Sequence, residues 1–550
     1  MYNVDNLINS IIQSANLKLR ARDTCLKQAT EAFLLAPTQK LSDSEVAEAL
    51  VAISQGIVQE HNANLIGTDK ALKWKMPDDL THTQVGMCIA SRNHVIKLSY
   101  TDVILECVYA VYDEASGLYV TDDSLIISLI QGYVAGADNK FIANVFTHLD
   151  GAVPKRTRTL ERDLIPVNNG IYNYKTKQLI DYSPDYVFVT KSRTNYNPNA
   201  QNIIIHNDED GTDWDVESWM AELTDDPEIT QLLWEVTGAI LRPNVAWDKA
   251  AWLYSDRGEN GKGTLCAMWN NLCGDAATSI PIADFAKDFM LSSLIKAQAI
   301  IVDENDVGAF IDKAGILKAV ITNDPISINR KFKDPVKYQF HGFMVQCLNE
   351  LPRFKDKSDS VYRRQLFVPM SKCFTGKARK YIKADYIHRP EVLEYVMKRV
   401  FDMDYYELSE PASCKAVLDE YKAFNDPVRQ FWSEFEEEFV WDMLPNGFLY
   451  DLYKSWFART NPSGSLISRT IFVKDVRNVA IQTGRWASTN DKEAVKGRMD
   501  DTEPLIYHYN LEGWMASGYN VRSQATIDAI CRFHVCDSYR GLVRLDSSVN

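Results

Sequence analysis

LYSDRGENGKGT, Leu253 to Thr264, is the stretch on which the reading of the chain turns. It begins at the end of a short apolar run, Ala250 to Tyr254, of the kind that forms a buried parallel strand, and passes into a turn with glycine at 258, 261 and 263. Glycines so placed let successive backbone N–H groups point inward at an anion, and Lys262 adds a full positive charge. Leu265 to Leu272 is apolar enough to open a helix, whose unpaired N-terminal amides would face the same anion. Gly258, Asn260, Gly261, Lys262, Gly263 and Thr264 are therefore the expected phosphate cradle. Two positions depart from the strict G-x-x-x-x-G-K-S/T spacing. Asp256 stands where the first glycine belongs, and Gly263 where a magnesium-binding hydroxyl belongs, which leaves Thr264 as the nearest replacement.

Downstream, AIIVDENDV, Ala299 to Val307, is an apolar strand ending in adjacent carboxylates. Nucleotide hydrolysis uses such a pair: Asp303 to hold Mg²⁺, usually through water, and Glu304 to orient and deprotonate the attacking water. A second apolar strand, Phe343 to Leu348, runs into Asn349, placed to hold that water or to sense the γ-phosphate. SVYRRQLFVPM, Ser360 to Met370, sets Arg363 and Arg364 just before another strand, where a guanidinium could reach a neighbouring subunit's phosphates. Between these strands, DPISINRKFKDPVKYQF, Asp324 to Phe340, reads as a hairpin with a basic tip. Lys331, Phe332 and Lys333 there combine charge with a stacking ring, as single-stranded nucleic acid requires.

Outside this region the chemistry is sparser. Residues 1–100 have apolar spacing for amphipathic helices, 101–215 are mixed α+β, and 216–405 alternate strand and helix as an α/β core does. LIPVNNGIYNY, Leu164 to Tyr174, reads as two strands with Asn169-Gly170 at the turn, and Asp208-Glu209-Asp210 as a solvated loop. From 411 to 550 the chain turns helical again. Leu449, Leu452, Tyr453, Trp456 and Phe457 form a buried stripe, and Ser468 to Gln482 a second helix capped by its serine. With the extended-looking Gly484 to Leu511, this pair resembles a winged helix, or else a plain helical core.

Composition bounds the rest. The 550 residues, 46% hydrophobic, suit about three or four domains. A net charge of −14 excludes a global basic field, so any nucleic-acid contact must be local. The N-terminus has no basic head followed by an apolar core, and no run of apolar residues is long enough to span a bilayer; the expectation is a cytoplasmic protein without a membrane partner. The ten cysteines, none in C-x-x-C spacing, read as reduced structural thiols.

In order, NGKGT, IIVDEND, a basic hairpin, LNELP and YRRQLFVPM resemble the superfamily 3 helicases, especially the helicase halves of phage, plasmid and poxvirus primase-helicases. The resemblance covers about Tyr100 to Ala480. It implies an AAA+ ATPase core, a ring, usually a hexamer, that hydrolyses ATP with Mg²⁺ between subunits, and translocation 3′ to 5′ on single-stranded or forked DNA. By resemblance Lys262 is the phosphate-loop lysine, Asp303 and Glu304 the metal and base carboxylates, Asn349 the polar sensor and Lys331 the DNA-gripping residue. Arg364 is the first choice for the trans-acting finger and Arg363 the second. Thr264 and Asp303 are the expected metal ligands. Asn323 stands where relatives often have glycine before the hairpin. Residues 1–100 show neither a paired-carboxylate strand nor a zinc cluster, so no primer synthesis is expected. The function implied is a replicative helicase of a phage or other mobile element, active in the host cytoplasm beside other replication proteins. An origin-binding initiator that uses ATP as an assembly switch and an AAA+ remodeller of proteins are the alternatives.

Overall fold

The computed structural model describes residues 4–545 except 15–20, 38–39, 66–71, 288, 307–309, 312–313, 332, 355, 357, 377–378, 461–465, 521, 523 and 532–535. Two units are distinguished: residues 1–352 with 364–411, and 353–363 with 412–550.

The first unit is organised around five parallel strands: β1 (Ala250–Tyr254), β2 (Ala277–Thr278), β3 (Ala299–Val302), β4 (Phe343–Leu348) and β5 (Gln365–Pro369), in the order β2-β3-β4-β1-β5. The sequence explains the burial. AAWLY, AIIV and FMVQCL are continuous apolar runs rather than alternations, as strands covered on both faces must be. The flanking helices include Pro227–Leu241, started by Asp226 as cap and proline in the first turn, together with Lys262–Cys273 and Pro390–Asp402. This is an α/β core. Because β4 lies between β3 and β1, the loops after β1, β3 and β4 open side by side at the C-terminal edge of the sheet, where α/β folds place ligands.

Ahead of the core come helices Val4–Ser14, Arg22–Leu34, Asp43–Ala63 and His82–Arg92. They pack in one apolar cluster with helices Asp123–Tyr133 and Asn139–Ala152. Strand Val95–Ser99, whose start lies before residue 100, pairs antiparallel with Cys107–Asp113 and parallel with Lys155–Thr157. The hairpin expected in 164–174 forms, with its turn one residue earlier than expected. Val167 pairs with Gly170, so Asn168-Asn169 make the turn and Gly170 is already in the strand. No helix among the described residues is long and apolar enough to cross a membrane.

The second unit has an aromatic core that includes Phe431, Trp432, Trp441, Tyr453, Trp456 and Trp486. Helices Asn446–Thr460 and Arg469–Gln482 accompany a three-stranded antiparallel sheet of Met443–Pro445, Gly541–Arg544 and Trp486–Ser488. Ser468 caps its helix by accepting from Ile471 N. Gly484 to Leu511 is less extended than its polarity suggests. Only Trp486–Ser488 and Glu493–Ala494 are strands, and Leu505–His508 is helical because Leu505 and Ile506 are drawn into the core.

Candidate active site

The loop between β1 and the helix Lys262–Cys273 closes on itself before it meets any ligand. Asn260 Nδ2 donates to Arg257 O at 2.6 Å, and Asn260 Oδ1 accepts from Lys262 N at 3.3 Å. Left-handed backbone falls at Glu259 (φ 53°) and Gly261 (φ 86°) and not at 256 or 258. Asp256 in place of glycine therefore imposes no strain. Glu259 is held by Phe374 N, which donates to Glu259 O at 2.7 Å. A Cβ at Gly258 would meet nothing within 4 Å, which leaves room over the loop.

Lys262 is 5% exposed, and its Nζ donates to Leu348 O and Asn349 Oδ1, both at 2.8 Å. The loop after β1 is thereby tied to the end of β4. Burial lowers the lysine pKa, with Cys347 and Asp303 acting in the opposite direction. A poorly solvated ammonium facing an open loop is suited to an arriving anion.

Asp303 ends β3 beside the same helix start. A Cβ at Gly263 would lie 2.9 and 3.1 Å from the two Asp303 carboxylate oxygens and 3.2 Å from Lys383 Nζ. This accounts for glycine where a hydroxyl residue was expected: the carboxylate occupies the space. Asn305 anchors the loop after β3, donating to Gln346 Oε1 and Cys347 O at 3.0 Å and accepting from Ile282 N. Glu304 and Asn349 are exposed at this edge. Mg²⁺ usually takes one or two carboxylates, with phosphate and water completing its octahedron, and Asp303 meets that requirement. The Cys266 and Cys347 thiols, 3.4 Å apart, lie within 4.8 Å of an Asp303 oxygen, an approach not evident from cysteine spacing.

Thr264 lines a different space, a pocket of about 420 Å³ against the loop, with Trp219, Leu223, Gly261, Phe374 and Ile382. Apolar side chains share its lining with Glu222, Glu259, Arg379, Lys380 and Lys383, and a pocket of this size has room for a planar heterocycle. Apart from Glu259, Gly261 and Thr264 in the loop, the pocket-wall residues come from segments that carried no sequence signal. Lys383 also lines it and stands 4.0 Å from Asp303, both side chains about half exposed.

Arg363 is exposed at the end of the helix Asp359–Tyr362. Arg364 is half-buried, and its carbonyl accepts from Ala250 N. The hairpin pairs Pro325–Arg330 with Lys333–Gln339; Ile326, Ile328, Val336 and Tyr338 are buried while Ser327, Asn329 and Lys337 face out. Lys331 is exposed at the turn, Lys333 begins the return strand, and Phe332 lies outside the described residues. Asn323 has φ 55° and its Nδ2 donates to Phe340 O at 2.7 Å. Asparagine, which tolerates left-handed backbone, can thus replace glycine there.

The fold and its edge define an α/β protein with a glycine-rich loop, acidic strand end and polar strand end converging on one cleft. Three family models match the chain: D5 N terminal like over residues 111–238, a family of unknown function (DUF5906) over 253–364, and Poxvirus D5 protein-like over 424–509. Together with the motifs, the two D5-like matches identify the chain as a superfamily 3 helicase-type protein. No curated protein matches it. Among solved structures, the C-terminal region of NrS-1 is similar with TM-score 0.42 and 14% identity, covering 75% of this chain and 97% of that one. A second structure of that region, residues 305–718, gives 0.43 and 14%, covering 76% and 98%. JCV helicase gives 0.25 and 15%, covering 38% and 58%.

Proposed function

We infer that the chain is an ATP-dependent replicative DNA helicase of a phage or other mobile element, working as a ring, usually a hexamer, that moves 3′ to 5′ along single-stranded DNA. The observation that carries the reading is Lys262: buried, bonded to Asn349, and one residue from a glycine packed on Asp303. In this reading the loop amides and Lys262 bind the β- and γ-phosphates, and the Trp219–Phe374 pocket takes the base. Mg²⁺, held by Asp303 and the phosphates with Thr264 as the nearest hydroxyl, supplies charge neutralisation when bound. Glu304 orients water and accepts its proton, while Asn349 fixes the water's position. Arg363 or Arg364 of a neighbouring protomer stabilises charge on the transferred phosphoryl group. The exposed position of Arg363 favours it over Arg364. The Lys331 to Lys333 tips grip the strand.

The test is ATP-dependent unwinding of forked DNA bearing either a 3′ or a 5′ tail. The wild-type chain is expected to unwind the 3′-tailed fork, and Glu304→Gln to bind ATP and DNA but unwind neither. Unwinding by Glu304→Gln would remove the catalytic assignment, and a 5′ preference the direction. ATPase activity indifferent to single-stranded DNA would favour a remodeller of proteins.

A further inference from the structure

Beneath the glycine-rich loop, side chains from three separate elements meet. Cys266 stands on the helix Lys262–Cys273, Cys347 on β4 and Asp303 just after β3. The two sulfurs are 3.4 Å apart, and together with an Asp303 oxygen they lie within 4.8 Å of one another. Among the described residues this is the one group of three or more His, Cys, Asp or Glu side chains drawn so close. Both cysteines are 1% exposed, whereas the Asp303 side chain is 46% exposed, so the cluster is buried at its sulfur end and open to solvent at its carboxylate. Lys262 lies in the field of all three: burial lowers its pKa, and Cys347, Asp303 and Cys266 each oppose that.

A sulfur pair and a carboxylate select a ligand by softness. Mg²⁺ and Ca²⁺ take oxygen ligands, while thiolates favour Zn²⁺ and other thiophilic ions. Tetrahedral bonds of about 2.3 Å from zinc to sulfur set two sulfurs roughly 3.8 Å apart, close to the spacing present, and a site with three protein ligands keeps its fourth position for water. Binding releases two thiol protons to solvent and leaves two thiolates and a carboxylate around a dication, a single net negative charge. The Lys262 ammonium beside them offsets that charge, which burial would otherwise make costly. We propose that Cys266, Cys347 and Asp303 form a binding site for a thiophilic divalent cation of the Zn²⁺ class. Occupied, the site withholds Asp303 from Mg²⁺, so the ion inhibits nucleotide turnover. That consequence rests on the ATPase reading; the binding itself does not.

The probe is Co²⁺, whose thiolate complexes absorb by charge transfer with a strength that reports the number of sulfur ligands. The full chain, kept reduced and free of nucleotide and Mg²⁺, is titrated with Co²⁺ and then with Zn²⁺. The wild-type chain is expected to show a two-thiolate band that Zn²⁺ abolishes. Cys266→Ala and Cys347→Ala should each lower the band to that of one thiolate or less and weaken binding about tenfold or more. Asp303→Ala, at a half-exposed position, guards against misfolding of the buried variants and should weaken binding on the same scale. Cys373→Ser, at an exposed thiol, should keep the wild-type band. No band in the wild-type chain, or unchanged affinity in all three ligand variants, would overturn the proposal, as would loss of the band with Cys373→Ser. In ATP turnover, Cys347→Ala should need about tenfold more Zn²⁺ for half-inhibition, and equal sensitivity would overturn the inhibitory role. A chain that binds Co²⁺ through these thiols yet hydrolyses no ATP would remove the ATPase reading and leave the metal site standing.

Discussion

Gly263→Ala tests the geometry of the cleft at one carbon atom. The added Cβ would sit 2.9 and 3.1 Å from the Asp303 carboxylate oxygens, whereas ordinary contact begins at 3.4 Å, so the carboxylate must retreat by roughly 0.5 Å. Gly263 does not have positive φ, so alanine meets no backbone strain, and within a helix it is favoured by up to about 1 kcal/mol. Fold and activity should therefore separate. Thermal unfolding is expected to be unchanged or raised, while kcat for ATP falls on the order of 10- to 100-fold, the scale set by sub-ångström to 1 Å misplacement of a reacting group. KM should move less, because Lys262 and the apolar pocket are untouched. Phosphate release at saturating ATP and Mg²⁺ gives the rate. A cycle with Asp303→Ala identifies the route, since Gly263→Ala should add little once the carboxylate is gone. A folded Gly263→Ala protein with kcat within twofold of wild type would refute the reasoning.

Phe374→Ala removes one wall of the pocket beside the loop and is expected to raise KM for ATP about tenfold, the effect of about 1.4 kcal/mol of lost contact, with kcat little changed; an unaltered KM would exclude the pocket as the base site. Lys331→Ala, at the exposed hairpin turn, should abolish stimulation of ATP turnover by single-stranded DNA while leaving the basal rate intact, and stimulation persisting at the wild-type level would exclude the tip from strand contact. Burial pulls His341 from 6.5 down to about 3, so as pH falls below 6.5 the unfolded chain takes the proton first and the folded state loses stability until about pH 3. By about pH 4 the loss from this residue is about 3 kcal/mol; His341→Gln should be that much less acid-sensitive in denaturant titrations, and identical pH slopes for the two proteins would contradict the assignment.

Much of the core could be read in the chain because its determinants are local. An apolar run such as AAWLY or AIIV reports a strand buried on both faces, and a glycine cluster followed by lysine reports the turn after it. The pocket offered no such signal: Trp219 and Leu223 precede the loop, Phe374 and Ile382 follow β5, and only the folded topology joins them. The reason for Gly263 was equally hidden, since it lies in the approach of Asp303 from 40 positions away. Asn323 and Glu259 show the converse limit. Sequence suggests glycine where φ is positive, yet both positions hold left-handed backbone with other residues, Asn323 by bonding Phe340 O and Glu259 by receiving Phe374 N. Phe332, read as a stacking ring, lies outside the described residues.

The path from cleft to hairpin limits how the tip can move. Lys262 reaches one end of β4 through Asn349 and Leu348, while the other end follows the hairpin arm Lys333–Gln339 after only three residues. All six residues of β4 are buried, so the strand is a stiff link of about 20 Å. The hairpin root, however, is fastened on its far side. Arg158 donates to Tyr338 OH at 3.2 Å and to Gln339 O, Gln339 N donates to Tyr100 O at 3.1 Å, and Tyr338 OH donates to Leu294 O at 2.7 Å. Gly342 is wedged as well, with space for a Cβ already taken by Gln298 O at 2.2 Å. A swing of the hairpin against the sheet would break these bonds or drag Tyr100 and Arg158 with it, leaving buried polar groups unpaired at each step. Displacement of the tip is therefore cheapest when the hairpin, β4 and the Tyr100–Arg158 buttress travel as one body, which puts the moving joint outside this assembly rather than at the hairpin's base.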